Sequence, residues 1–190
     1  RAKAFKHLLE NHKIVLDNYD LLVGNRTDTP RAGVISPEMS PYWILDELDK
    51  FPTRQQDRFE ISEEDKTYYK EVLYPFWTNK SLNDWYKAHL AENLAEAQKT
   101  RIFSVAQTDK GQGHIICDFP LVLQNGFGAL LAEAEQKLAQ DGESDFYAAA
   151  VIVLKATIAY VQRYEAEVLQ ARESASSETR AQELERPAEI

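Results

Sequence analysis

The chain has 190 residues, 44% of them hydrophobic, and its 31 acidic against 22 basic side chains give a formal net charge of −9. This composition supports a core for one domain, or for one large lobe of a bigger protein, and excludes disorder for most of the chain. The acidic balance argues against nucleic acid as a partner, and we find no apolar run near the ~20 residues that a membrane span requires.

The first quarter of the chain predicts two short helices joined by an irregular segment. Apolar residues at helical spacing indicate an amphipathic helix over residues 1–12, and the residues at 14–16 suit an extended stretch. Prolines and a glycine break both periodicities further on and predict an irregular loop over 24–40. Ser40-Pro41 then signals a helix that ends before Pro52. Its predicted buried stripe consists of Trp43, Ile44, Leu45 and Leu48.

Two further helix starts carry capping-box spacing, in which a serine precedes an acidic residue by three positions. Ser62–Asp65 begins a helix that we expect to reach Tyr74 and to stop at Pro75. Ser81–Asp84 repeats the device. The helix that it begins is expected to carry Trp85, Leu90 and Leu94.

The second half predicts an irregular segment followed by two longer helices. No regular element fits through the loop at 104–119, while residues 120–139 have a helical pattern. Gly126 and Gly128 interrupt that pattern, so we expect two helical segments there. A single long helix is predicted over about 145–175, roughly 45 Å long at ~1.5 Å per residue.

The long helix carries apolar residues on more than one side, and the other predicted helices are too few and too short to cover them. We therefore expect partner surface to be missing from this chain, which would then be a piece of a larger protein. The alternative is a homodimer through a coiled coil along this helix. Glu165 and Arg172 fall on the seam of that coiled coil and argue against it.

The stretch Thr108–His114 is the best candidate for a loop that faces a ligand. Gly111 and Gly113 bracket one residue, and His114 follows directly. Glycines at this spacing suit close approach of another group to the backbone.

Several runs together resemble the N-terminal region of glycyl-radical enzymes of the pyruvate formate-lyase superfamily. The resemblance extends in order to the helix around Tyr164, and it is closest to the branch of pyruvate formate-lyase 2 and the glycerol and propanediol dehydratases. The runs that carry it are Tyr19–Arg26, Pro30–Met39, Phe51–Phe59, Ser62–Lys66, Tyr74–Trp77 and Gln107–His114.

This resemblance implies a mainly α fold: the N-terminal helical lobe of a ten-stranded α/β-barrel enzyme, with little β structure, taken as a single lobe over 1–190. In the family a C-terminal glycyl radical generates a cysteine thiyl radical, which abstracts hydrogen from the substrate. Neither the sequence motif around that glycine nor the one around that cysteine occurs here. The resemblance therefore implies that the chain alone is inactive, with no cofactor bound and no catalytic residue of its own. The parent would be a lyase or dehydratase, or formate acetyltransferase-like.

The implied partners are the rest of the parent chain, a radical S-adenosylmethionine activating enzyme that installs the glycyl radical, and a small-molecule substrate. A homodimer remains an alternative, and neither nucleic acid nor a membrane is expected. Cys117 is the only cysteine and cannot form an internal disulfide, which fits a reducing compartment. With no signal peptide in the sequence, we expect a cytoplasmic protein.

Three residues of the glycine loop are the candidate substrate contacts. By resemblance to the diol dehydratases, His114 contacts the hydroxyl groups of a polyol, and a histidine can also donate a proton to a departing hydroxyl. Gln107 and Thr108 rank second, with amide and hydroxyl groups to offer. The alternative for all three residues is hydrogen bonding within the loop itself.

The other polar residues are interpreted as structural. We expect Cys117 to be a buried small hydrophobe rather than a radical carrier, and Asp109 and Asp118 to be cap or turn residues. Arg31, Arg54 and Arg58 should form internal ion pairs. The histidines lack metal-ligand spacing, so no metal site is predicted. The competing hypothesis for the whole chain is a non-catalytic helical module that binds a protein partner through exposed apolar faces.

Overall fold

The computed structural model describes residues 1–24, 27, 32–102 and 116–188, and these are helical without any strand. This confirms the mainly α prediction. The helices are α1 (Ala2–Asn11), α2 (Pro41–Glu47), α3 (Glu63–Tyr68), α4 (Tyr74–Trp77), α5 (Leu82–His89), α6 (Glu92–Lys99), α7 (Phe119–Gln140), α8 (Asp145–Glu173) and α9 (Glu178–Ala188). A 3-10 turn covers Phe51–Thr53 and a π-helical turn covers Tyr69–Leu73.

The described residues form two compact units. Unit 1 comprises those within 1–30 and 117–190, and unit 2 those within 31–116. The organisation of 1–190 as a single lobe therefore stays a prediction.

Unit 1 is built around α8, which contacts α1, α7 and α9. Each of the four helices contributes at least one buried apolar residue. The buried set is Leu9, Ala134, Ala156, Tyr164, Val168 and Leu184.

Arg163 of α8 fixes the C-terminal end of α1. Its guanidinium donates to the carbonyl oxygens of Leu9 at 2.6 Å and His12 at 2.7 Å. The carbonyl groups at a helix C-terminus have no intrahelical partner and carry the negative end of the helix dipole, so a cation is favourable there. The His12 ring also stacks on Tyr160, with centroids 5.8 Å apart.

Unit 2 has its core where α2 meets the 3-10 turn and the π-helical turn. Ile44, Leu48, Phe51 and Tyr69 are buried together, and the Tyr69 hydroxyl donates to the Pro41 carbonyl at 2.7 Å. Burial raises the pKa of Tyr69 to about 12. The predicted stripe is confirmed at Ile44 and Leu48, but Trp43 is 39% exposed.

Both predicted capping boxes form their serine caps. The Ser62 hydroxyl accepts from the Asp65 amide at 3.0 Å, and Ser81 exchanges bonds with Asp84 in a complete capping box. Tyr42 extends the second box, because its hydroxyl donates to the Asp84 carboxylate at 2.7 Å. This bond raises the pKa of Tyr42 above its ordinary value.

Two predicted helix ends were wrong. Helical structure continues past Pro75 to Trp77, because the π-helical turn at Tyr69–Leu73 lets the proline fall in the first turn of α4, where its missing N–H costs little. The helix that begins after Ser81 ends at His89, since Leu90 takes an extended conformation with ψ of 129°. Leu94 consequently belongs to a separate helix, α6.

The expected interruption of α7 is confirmed at Gly126, whose φ of 72° and ψ of 163° depart from helical values. L-residues rarely adopt this conformation. Gly128, two residues on, has no such conformation.

A matched pair of substitutions tests the break in α7. Gly126→Ala should destabilise unit 1 by about 1–3 kcal/mol because alanine is strained there, while Gly128→Ala should stabilise it by about 1 kcal/mol through helix propensity. An added Cβ meets no atom within 4 Å at either site, so the difference reports on the backbone alone. Urea unfolding followed by circular dichroism measures both. Equal effects of the two substitutions would contradict the assigned geometry.

The long helix is confirmed as α8, with 29 residues. One 18-residue window of it reaches a mean hydropathy of 1.3, so α8 is long and apolar enough for a membrane span by length and composition alone, which core helices of soluble proteins also satisfy. By this criterion our expectation that the chain lacks such a run was wrong. Only 11% of that window is buried, and most of its other residues are half-buried.

Candidate functional site

The three candidate substrate contacts, Gln107, Thr108 and His114, lie outside the described residues, as does Asp109. Their assignment stays a prediction. The structure describes instead the two ends between which this segment runs, and the surfaces next to those ends.

A helix end lies close to residues 103–115 in each of the described ranges that flank them. On the unit 2 side α6 ends at Lys99, and the Thr100 hydroxyl donates to the Ala97 carbonyl at 2.7 Å. On the unit 1 side the Asp118 carboxylate accepts from the Leu121 amide at 3.1 Å and caps α7. The prediction that Asp118 is a cap residue is therefore confirmed.

Cys117 is exposed, so the prediction of a buried thiol was wrong. It lies in the short stretch before α7, where the flanking Ile116 is 93% exposed. A free cysteine is buried only where other residues pack around it. The described residues supply no such packing around this stretch.

Apolar side chains continue on the surface after Cys117. Phe119 is 66% exposed, Leu121 43% and Leu123 86%. From Ile116 to Gly126 every residue except Val122 is exposed. The candidate substrate segment therefore leads directly into an uncovered apolar stretch.

A concave surface lies within unit 1, between the chain at Leu21–Gly24 and the helices α8 and α9. The cavity has a volume of about 750 Å³. Most of its lining is apolar, with Glu165 and Glu183 as the carboxylates. Arg180 donates to Glu183 at 3.0 Å and so occupies one of them.

Tyrosine and glutamate side chains are the polar groups of this otherwise apolar cavity. Tyr160 lines it, and burial raises the pKa of this tyrosine to about 12, which leaves it protonated at neutral pH. Sequence reasoning did not find the cavity, although Leu21–Gly24, which line it, belong to one of the runs that carry the family resemblance. No periodicity links that run to α8, which lies more than a hundred residues further along the chain.

The prediction of internal ion pairs is confirmed at Arg54, whereas Arg58 makes a hydrogen bond to a main-chain carbonyl and Arg31 lies outside the described residues. Arg54 pairs with Glu47 at 3.1 Å, and Arg58 donates to the Arg54 carbonyl at 3.0 Å. The His89 ring stacks on the Trp85 ring, with ring centroids 4.3 Å apart. Within the part of the chain that the structure describes, no group of three or more potential ligands is placed to hold a metal ion.

Comparison with known proteins decides the family. The profile described as "Pyruvate formate lyase-like" matches residues 1–190. The chain belongs to the pyruvate formate lyase-like family. Among proteins of this kind, the probable dehydratase YbiW of Escherichia coli (strain K12) is 30% identical over 190 residues, which cover 95% of this chain and 23% of that protein.

Other members of the pyruvate formate lyase-like family give the same result. The (2S)-3-sulfopropanediol dehydratase of Klebsiella oxytoca is 28% identical, over 97% of this chain and 24% of its own length. The glycerol-bound structure of the B12-independent glycerol dehydratase from Clostridium butyricum superposes with a TM-score of 0.88 at 32% identity, over 99% of this chain and 25% of that one.

The chain thus spans about a quarter of the length of these relatives and corresponds to the N-terminal region of larger glycyl-radical enzymes. The expected fold class, a helical N-terminal part of a pyruvate formate lyase-like enzyme, is confirmed.

Proposed function

We propose that this chain is the helical N-terminal lobe of a glycyl-radical dehydratase or lyase, and that it supplies part of the substrate wall through residues 107–114. The observation that carries the proposal is the continuous family match over 1–190, in relatives of which the chain covers only a quarter. The exposed apolar stretch next to residues 103–115 is what a lobe completed by further polypeptide would present.

In this proposal His114 binds a hydroxyl group of a small polyol and donates a proton as that hydroxyl departs. Gln107 and Thr108 orient the substrate from the same loop. A dehydration is favoured over a formate acetyltransferase-like reaction because glycerol dehydratase and sulfopropanediol dehydratase are among the similar proteins. The radical glycine and the thiyl cysteine belong to the parent chain, so this piece alone is inactive and binds no cofactor.

An activating enzyme of the radical S-adenosylmethionine type installs the radical in the parent, which works in the cytoplasm under anaerobic conditions. The apolar surface of α8 faces the rest of the parent chain rather than a lipid bilayer.

The proposal is tested by electron paramagnetic resonance on the protein that the whole gene encodes. After anaerobic activation the full-length protein should show a glycyl-radical signal and should turn over a diol, whereas the 190-residue chain under the same treatment should show neither. A full-length protein that cannot be charged with a radical would refute the proposal.

A non-catalytic helical interaction module is the second candidate. The exposed apolar side chains favour it equally, since both functions require a covering partner. The two differ in the reading frame beyond Ile190. A frame that ends there and still yields a stable protein–protein complex would favour the interaction module.

A further inference from the structure

The segment Ile116–Gly126 carries apolar side chains of the kind found in protein cores, yet every residue in it except Val122 is exposed. Ile116 and Leu123 are 93% and 86% exposed. The run from Phe119 to Gly128 contains no Asp, Glu, Lys or Arg. A helical segment that faces water normally carries charge on its exposed side, so this one is built to be covered.

The remainder of α7 differs in both respects. Beyond the break, Ala134 is buried and Glu135 pairs with Lys155 of α8 at 2.7 Å. Charged residues return at Glu133. The part of α7 after Gly126 is therefore a packed, amphipathic helix of unit 1, and only the part before it lacks a covering surface among the described residues.

Gly126 separates these two parts. Its φ of 72° and ψ of 163° take the chain out of the helix, so residues 119–125 do not continue the axis of the packed part. A short segment with its own direction presents its apolar side chains independently of α8. A glycine at the break allows this geometry at no steric cost.

We propose that Ile116–Gly126 is a docking segment that the rest of the parent polypeptide covers. The inference rests on the proposed function and adds to it the surface through which the lobe is held. The surface that covers this segment is an uncharged surface of the parent polypeptide rather than a membrane. A membrane-binding segment would carry Lys or Arg, and Ile116–Gly126 has neither.

The test compares Leu123→Asp with Gln136→Asp, in both the 190-residue chain and the full-length protein. Gln136 is exposed on the packed part of α7 and controls for the added charge. In the chain alone neither substitution should move Tm. In the full-length protein Leu123→Asp should lower Tm by roughly 5 °C or more, since it buries an unpaired carboxylate, and Gln136→Asp should not. If Leu123→Asp prevents soluble expression, Leu123→Ala should give a smaller shift of the same sign.

Three outcomes overturn the inference. Equal Tm shifts for the two substitutions in the full-length protein would place Leu123 in solvent. Self-association of the chain that Leu123→Asp abolishes, with an unchanged full-length protein, would make a second copy the occupant. Binding of the chain to neutral lipid vesicles that Leu123→Asp abolishes would make a bilayer the occupant. The Tm comparison needs no radical, so it fails separately from the proposed function.

Discussion

In the activated full-length enzyme, replacing His114 with alanine should lower kcat/KM for a diol by about 100-fold or more, the range that loss of a general acid produces. Hydroxide is a poor leaving group, so a proton supplied by the histidine lowers the barrier to its departure. The same substitution should leave the glycyl-radical signal in electron paramagnetic resonance unchanged, because the radical is formed elsewhere in the parent.

His7→Ala is the matched control for the His114 experiment. His7 is an exposed histidine on α1, and its ring lies near Asn11 of the same helix. Its removal should leave turnover unchanged. Gln107→Ala and Thr108→Ala should each reduce turnover less than His114→Ala does. Full turnover in the His114 variant at unchanged radical content would remove this residue from the substrate site.

Leu48→Ala should destabilise unit 2 by about 2–5 kcal/mol, the cost of removing a fully buried leucine and leaving a cavity. Leu48 is 0% exposed and packs with Ile44, Phe51 and Tyr69. A loss of this size is a large part of the ~5–15 kcal/mol by which domains are stable. Tyr69 then loses part of the packing that holds its hydroxyl on the Pro41 carbonyl.

Tryptophan fluorescence during urea unfolding measures this loss selectively, because all three tryptophans, Trp43, Trp77 and Trp85, lie in unit 2. Leu94→Ala is the control, since Leu94 is 45% exposed and its truncation should change stability by less than ~0.5 kcal/mol. Identical unfolding midpoints for the two variants would show that the buried cluster is not the core of unit 2.

Local signals predicted much of the fold. Serine caps with an acidic residue three positions on placed the starts of α3 and α5, and the long apolar periodicity placed α8. A glycine within a helical pattern located the break in α7 at Gly126. Each of these features depends on residues within one or two turns of each other, which the sequence displays directly.

The errors arose where the sequence carries no local signal. A π-helical turn before Pro75 has no sequence signature, and neither glycine nor proline marks the end of α5 at Leu90. The cavity beside Leu21–Gly24 joins parts of the chain far apart in sequence. Cys117 was expected to be buried because of its residue type, yet burial depends on a surface that the described residues do not supply.

The central claim is that these helices are an incomplete shell that further polypeptide covers. Hydrogen–deuterium exchange, read by mass spectrometry on peptides covering residues 116–126 and 82–89, tests it most directly in the isolated chain and in the full-length protein. The first peptide contains Leu123 and the second Trp85, which is 61% exposed. We predict that the amides of both peptides exchange about 100-fold or more faster in the isolated chain than in the full-length protein, because the hydrogen bonds of helices without a covering surface open locally at low cost. Equal exchange in the two proteins would contradict the account.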